Sequence, residues 1–189
     1  MSKLLLTSAG FENPRIGEVF LKLLNKPASA ISVLFIPTAA TTEETMRYVK
    51  ESKEELLSLG IRETNIRTFN MEYEISYDEI KSFDTMYVCG GYTLHLLNKV
   101  REVGFDSLIR EFINNNKLYL GVSAGSIIVG PRVQEVSGLN IIDIIISPHY
   151  CNENKEKVKD LEVTSGYKVV SLTDKQAILV ENNAFIMVE

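Results

Sequence analysis

The chain has 189 residues, of which 45% are hydrophobic, and a formal net charge of −5. That is enough for one domain with a sizeable core and too little for two, and the composition excludes a disordered chain. With a negative balance and no run of Lys and Arg, neither nucleic acid nor an anionic membrane surface is an expected partner.

Met1-Ser2-Lys3-Leu4-Leu5-Leu6-Thr7 carries one basic residue and three leucines, too short an apolar run for a signal peptide. No stretch approaches membrane-spanning length, so a cytoplasmic protein is expected. Leu4-Leu5-Leu6 reads as a first strand, and Ile16, Val19, Phe20, Leu23 and Leu24 then recur at helical spacing. The apolar run 31–36 reads as a strand stopped by Pro37. Thr41-Thr42-Glu43-Glu44 opens a long helix with a hydroxyl cap and first-turn acids, and Gly60 closes it. Further along, 66–69 reads as a strand, 77–83 as a short helix, and 85–89 as a strand running into Gly90-Gly91. Helices are expected over 93–100 and 105–113, and a strand over 118–121.

After Gly130-Pro131 the pattern loosens. Residues 141–146 are strongly β-branched, interrupted by Asp143 and broken by Ser147-Pro148-His149-Tyr150. The tail offers three short apolar strands, 168–172, 177–181 and 184–188. Asn182-Asn183 joins the last two, and asparagine tolerates the left-handed backbone of a two-residue hairpin. Strands and helices alternating in this way predict an α/β fold. We expect a mainly parallel sheet flanked by helices on both faces, with a C-terminal antiparallel hairpin, as one domain over 1–189.

The chemistry centres on Gly121-Val122-Ser123-Ala124-Gly125, a G-x-S-x-G sequence at the junction of an apolar strand and a helix start. A turn this tight needs glycine on both sides, and it lifts the serine hydroxyl above the sheet. The helix that follows is expected to aim its first amides at the same spot. A plain helix-capping serine is the competing reading.

A serine hydroxyl is a poor nucleophile until a base accepts its proton. Only His95 and His149 are available. His149 follows the elbow in the order serine then histidine, with Pro148 fixing the backbone before it. His95, one turn into the helix after Gly90-Gly91, reads as a partly exposed helical residue, with a rim or substrate-binding role as the alternative. The Gly91 amide can face a ligand without a Cβ in the way, so Gly91 and Ala124 are the expected oxyanion donors. Between Ser123 and His149 the acids are Glu135 and Asp143. Glu135 is preferred as the group orienting the imidazole, with Asp143 or a neutral amide or carbonyl as alternatives. Cys89 and Cys151 make no disulfide framework, show no zinc spacing with the histidines, and read as small buried hydrophobes.

Together, the strand–Gly90-Gly91-Tyr92-Thr93–helix, the elbow Gly121-Val122-Ser123-Ala124-Gly125-Ser126 and Ser147-Pro148-His149-Tyr150 resemble the dipeptidase E and cyanophycinase family of serine peptidases. The resemblance spans residues 3–150. It implies a fold similar to the class I glutamine amidotransferases, with serine replacing cysteine at the elbow, and peptide cleavage without metal or cofactor. It further implies Ser123 as nucleophile, His149 as base, Gly91 and Ala124 as oxyanion donors, and an acid on the segment after the elbow, where Glu135 lies. Dipeptidase E carries arginines soon after its histidine that suit an acidic substrate. Here Cys151-Asn152-Glu153-Asn154-Lys155-Glu156-Lys157 has lysines only, which attract a carboxylate without clamping it bidentately.

The expected function is hydrolysis of short peptides through an acyl-enzyme on Ser123. The expected partner is a small peptide substrate, and a homodimer is the assembly to test for. An esterase would use the same parts. A non-catalytic binding or regulatory domain that keeps the fold is the alternative from another class. A glutamine amidotransferase would need cysteine at position 123.

Overall fold

Leu4, Leu5 and Leu6 are all buried, yet they serve two different cores: Leu4 and Leu6 one, Leu5 the other. Successive side chains of a strand point to opposite faces, so a strand buried on both sides must be apolar throughout. The computed structural model describes residues 3–182 and 184–189. Met1 and Ser2, in the segment read for a leader, and Asn183, in the expected hairpin turn, lie outside the described residues.

In chain order the strands are β1 (Lys3–Thr7), β2 (Val33–Ile36), β3 (Ile66–Thr68), β4 (Thr85–Val88), β5 (Leu118–Val122), β6 (Arg132–Val133), β7 (Val136–Ser137), β8 (Ile145–Ser147), β9 (Val169–Ser171), β10 (Ala177–Glu181) and β11 (Ala184–Val188). The helices are α1 (Pro14–Leu24), α2 (Glu43–Ser58), α3 (Tyr77–Ile80), α4 (Thr93–Glu102), α5 (Phe105–Asn114), α6 (Ala124–Ile127) and α7 (Lys155–Ser165). The main sheet runs β11-β10-β1-β5-β4-β2-β3. Strands β1 to β5 are parallel within it, and β10 joins β1 antiparallel and carries β11 antiparallel on its outer side.

Both faces of the sheet are covered. Leu5, Val33, Phe35, Tyr87 and Leu120 pack with Ile16 and Phe20 of α1 and Val49 and Leu56 of α2. Leu34, Ile36, Met86, Val88 and Tyr119 pack on the opposite side with Leu96, Leu97 and Val100 of α4 and Phe105, Ile109 and Phe112 of α5. The caps follow the sequence. Asn13 caps α1 with Pro14 in the first turn, and Thr42 and Thr45 form a reciprocal capping box on α2. The expected fold and its C-terminal hairpin are both present, with Asn182 at φ 51°.

One expectation near the C-terminus needs correction, and one helix there had not been expected. Of the run 141–146, only Ile145 and Ile146 are in a strand, β8, which lies outside the main sheet and pairs parallel with β9. Ile142 and Ile144 are buried as irregular chain, because an apolar pattern reports burial and not a ladder. Between β8 and β9 runs α7, which presents no buried residue and so offered no apolar stripe to read.

Candidate active site

The site is built at the C-terminal edge of the parallel strands. β5 ends at Val122 and α6 begins at Ala124, leaving Ser123 alone in the bend at φ 46° and ψ −104°. A side chain rarely adopts that backbone, and strain of this kind costs about 1–3 kcal/mol, which the surrounding structure must offset. The offset is visible in the contacts. The Ser123 N–H donates to Thr7 O at 3.0 Å, and the Tyr119 hydroxyl, fully buried, donates to Gly125 O at 2.8 Å. Ser126 Oγ lies 2.7 Å from Gly121 O and 2.8 Å from Thr7 O, tying β5 to β1 beneath the bend. The flanking glycines are steric necessities. A Cβ on Gly121 would meet Gly125 C at 2.6 Å, and one on Gly125 would meet Val88 O at 2.3 Å.

α6 is one turn of four residues, shorter than the helix expected there. What faces the serine is therefore a few individual amides and not a long helix dipole. Gly90 packs against the bend, where an added Cβ would lie 3.1 Å from Ser123 Cβ. Gly91 has φ 141°, and a Cβ on it would collide with Ala39 O at 2.2 Å. The next amide, Tyr92 N–H, donates to Ala39 O at 2.8 Å, whereas the Gly91 and Ala124 amides donate to no acceptor among the described residues. Both of these donors are therefore unspent.

His149 sits at φ 56°, just past β8. Its Nε2 lies 2.9 Å from Ser123 Oγ, and its Nδ1 lies 2.6 Å from Asp174 Oδ1. Ser8, buried at the end of β1, braces this pair. It accepts the His149 backbone N–H at 2.7 Å and donates to Asp174 Oδ1 at 2.8 Å. Asn154 Nδ2 donates to His149 O at 2.8 Å from the other side. An ionised carboxylate can only accept, so Asp174 fixes the proton on Nδ1 and leaves Nε2 free to accept from the Ser123 hydroxyl.

Asp174 corrects the expectation about the acid. Glu135 stands at the exposed turn between β6 and β7, where it pairs with Arg132 at 2.7 Å. Asp143 is exposed and does not line the site. Neither touches His149. Asp174 lies in the turn Thr173-Asp174-Lys175-Gln176 between β9 and β10, closed by Gln176 N–H to Thr173 O at 2.9 Å. Because β10 runs antiparallel to β1, with Thr7 opposite Ala177, the turn before β10 falls on the same edge as the elbow. The order along the chain is serine, histidine, acid.

His95 is half-buried on α4 and stays outside the site, as its helical position suggested. Cys89 is buried as expected, and burial pushes its thiol well above its usual range. Cys151 is exposed, against expectation, at the start of the turn before α7. Among the described residues no group of three or more His, Cys, Asp and Glu side chains is placed to hold a metal ion.

Ser123, His149 and Asp174 open into a cavity of about 780 Å³. Its walls come from the bend, from Gly90 to Tyr92, from Ser8, Ala9 and Glu12, and from one side of α2. That volume suits a ligand of a few residues, since small-molecule pockets run roughly 300–1,000 Å³.

Comparison with known proteins supplies the family. The model of peptidase family S51 matches residues 4–188. An uncharacterized peptidase of Listeria innocua is 31% identical over 175 residues, covering 82% of this chain and 83% of its own. A peptidase E of Nostoc is 29% identical over 169 residues, 80% of this chain and 67% of its own. The crystal structure of a Listeria monocytogenes protein provisionally named peptidase E superposes with a TM-score of 0.80 at 28% identity, over 99% of this chain and 98% of that one. The chain belongs to peptidase family S51 and is a serine-type peptidase.

Proposed function

We propose that the protein hydrolyses short peptides through an acyl-enzyme on Ser123. The observation that carries this reading is the unbroken line Ser123–His149–Asp174, at 2.9 and 2.6 Å. Ser123 Oγ attacks the substrate carbonyl while its proton passes to His149 Nε2. The resulting oxyanion is held by the amides of Ala124 and Gly91. Collapse breaks the C–N bond, and His149 returns the proton to the departing amine. Water then enters, gives its proton to His149, and attacks the ester; His149 re-protonates Ser123 as the acid leaves. Asp174 never takes a proton: it keeps Nδ1–H in place and stabilises the transient imidazolium. An oxyanion donor of this kind contributes roughly 3 kcal/mol to the transition state.

The cavity beside Ser123 is walled by α2 on one side and has room for a few residues, which suits small peptides. A cytoplasmic location belongs to the same reading, because two free thiols, one of them exposed, persist best in a reducing compartment. Titration with a fluorophosphonate followed by peptide mapping tests the nucleophile. Labelling at Ser123, lost in Ser123→Ala together with dipeptide hydrolysis, is the expected result. Labelling elsewhere, or equal hydrolysis by Ser123→Ala, would overturn the proposal.

A further inference from the structure

The α2 side of the cavity carries one sign of charge. Glu12, from the segment after β1, and Glu44, Glu51 and Glu55, from α2, all line it, and among the described residues no Lys or Arg does. Asp174 also borders the cavity but is committed to His149 and Ser8. The other carboxylates are poorly neutralised. Only Glu51 has an ion pair among the described residues, with Arg47 Nε at a loose 3.8 Å on the exposed side of α2. Lys155 and Lys157, the lysines that follow the histidine, lie at the start of α7 and do not line the cavity.

Glu55 is the innermost of the four. It is half-buried, and its Oε2 accepts the Phe11 N–H at 3.2 Å. Burial, with Glu12 and Glu51 adding repulsion, pushes its carboxyl above the usual range, so the acids converge closely enough to feel one another. A second polar group waits beside it. The Tyr87 hydroxyl is fully buried and lies with Glu55 beneath Gly10. Carboxylates gathered without counter-charge repel an anion and attract a cation, more strongly as the walls exclude water.

Resting on the peptidase reading of the same site, we infer that the cavity selects short peptides whose N-terminal residue carries a cationic Lys or Arg side chain, with Glu55 and Glu12 receiving the charge. An aspartyl residue there would bring a further carboxylate among four, with no cation to meet it.

Ser123→Ala protein removes the chemistry and leaves the pocket, so calorimetric titration with Lys-Ala, Arg-Ala, Ala-Ala and Asp-Ala reads the preference directly. A basic dipeptide is expected to bind about tenfold or more tightly than Asp-Ala, the scale of one well-placed charge pair. That preference should fall at least about threefold when Glu12→Gln, at an exposed position, or Glu55→Gln is added, and it should shrink as NaCl is raised. Equal or reversed affinities, or no binding of any of the four, would overturn the inference. Turnover by wild-type enzyme and phosphonate labelling report separately on the peptidase reading. Basic preference without turnover removes the peptidase reading and keeps the cation-selective pocket. Turnover that favours Asp-Ala does the opposite.

Discussion

Ser8 and His149, 141 positions apart in the chain, share one short contact: the imidazole residue's backbone N–H enters the serine hydroxyl oxygen at 2.7 Å. The same hydroxyl proton goes to Asp174 Oδ1, so a single buried side chain just past β1 sets both the backbone of the base and the carboxylate that orients its ring. Ser8→Ala leaves the His149 N–H without its acceptor, a loss on the order of 1–3 kcal/mol of stability for a buried polar group. It also lets His149 and Asp174 drift, while removing only one small hydroxyl from the cavity wall. We expect kcat to fall about tenfold or more with little change in KM, the pattern of an interaction needed only in the transition state. A kcat within about twofold of wild type would assign Ser8 a purely structural part.

Asp174→Asn keeps the shape of the orienting side chain and removes its charge. The amide can then present N–H to Nδ1 and favour the wrong tautomer, leaving Nε2 protonated and unable to take the Ser123 proton. A loss of about 10²–10⁴-fold in kcat is expected, at the lower end if solvent reaching the half-exposed His149 ring partly substitutes. Glu135→Gln, by contrast, breaks only an exposed pair with Arg132, and activity should stay at the wild-type level. Dipeptide kinetics on the two variants decide which acid is in use.

The difference between these two acids shows where sequence reasoning stops. Ser123 was legible because its chemistry needs a local backbone shape, and the glycines at 121 and 125 announce that shape. His149 was legible because few histidines exist and a strand delivers it. The acid carries no such local mark. A search confined to the segment between serine and histidine finds Glu135 and Asp143, whereas the acid in contact is supplied by topology. A C-terminal antiparallel hairpin was readable, and a strand running backwards beside β1 necessarily starts at the elbow's edge of the sheet. Asp174 in the turn before that strand was therefore the available signal. α7 was hidden for another reason: a helix that buries nothing leaves no stripe in the sequence.

Gly125 and Gly104 separate steric from conformational need. At Gly125 a Cβ would press on Val88 O at 2.3 Å, against the sheet itself, so Gly125→Ala must shift backbone beneath the elbow. We expect a destabilisation of about 2–4 kcal/mol and loss of phosphonate labelling. At Gly104 no atom lies within 4 Å of the added Cβ, but φ is +63°, so Gly104→Ala costs only the left-handed backbone term of about 1–2 kcal/mol. Labelling of Ser123 should survive it. Urea denaturation of both variants, with labelling as the second readout, checks the contrast.

Glu55 makes stability depend on pH in a direction opposite to that of a salt-bridged acid. Its folded carboxyl titrates above its ordinary value of 4.5, chiefly through burial and then through Glu12 and Glu51, with the Phe11 N–H pulling the other way. Between about pH 4.5 and that raised value, the unfolded chain has released the proton while the folded chain still holds it. The folded state then binds more protons, so this group's contribution makes stability fall as pH rises through the window. Glu55→Gln has no proton to lose and can still accept the Phe11 N–H. The melting temperature of the variant relative to wild type should therefore be highest near neutral pH and decline as pH drops toward 4.5. The slope of that difference is the readout, since a constant offset would only reflect the altered hydrogen bond. A difference that is flat, or that grows on acidification, would mean that Glu55 is not held among repelling carboxylates, and the charge argument for the cavity would lose its innermost member.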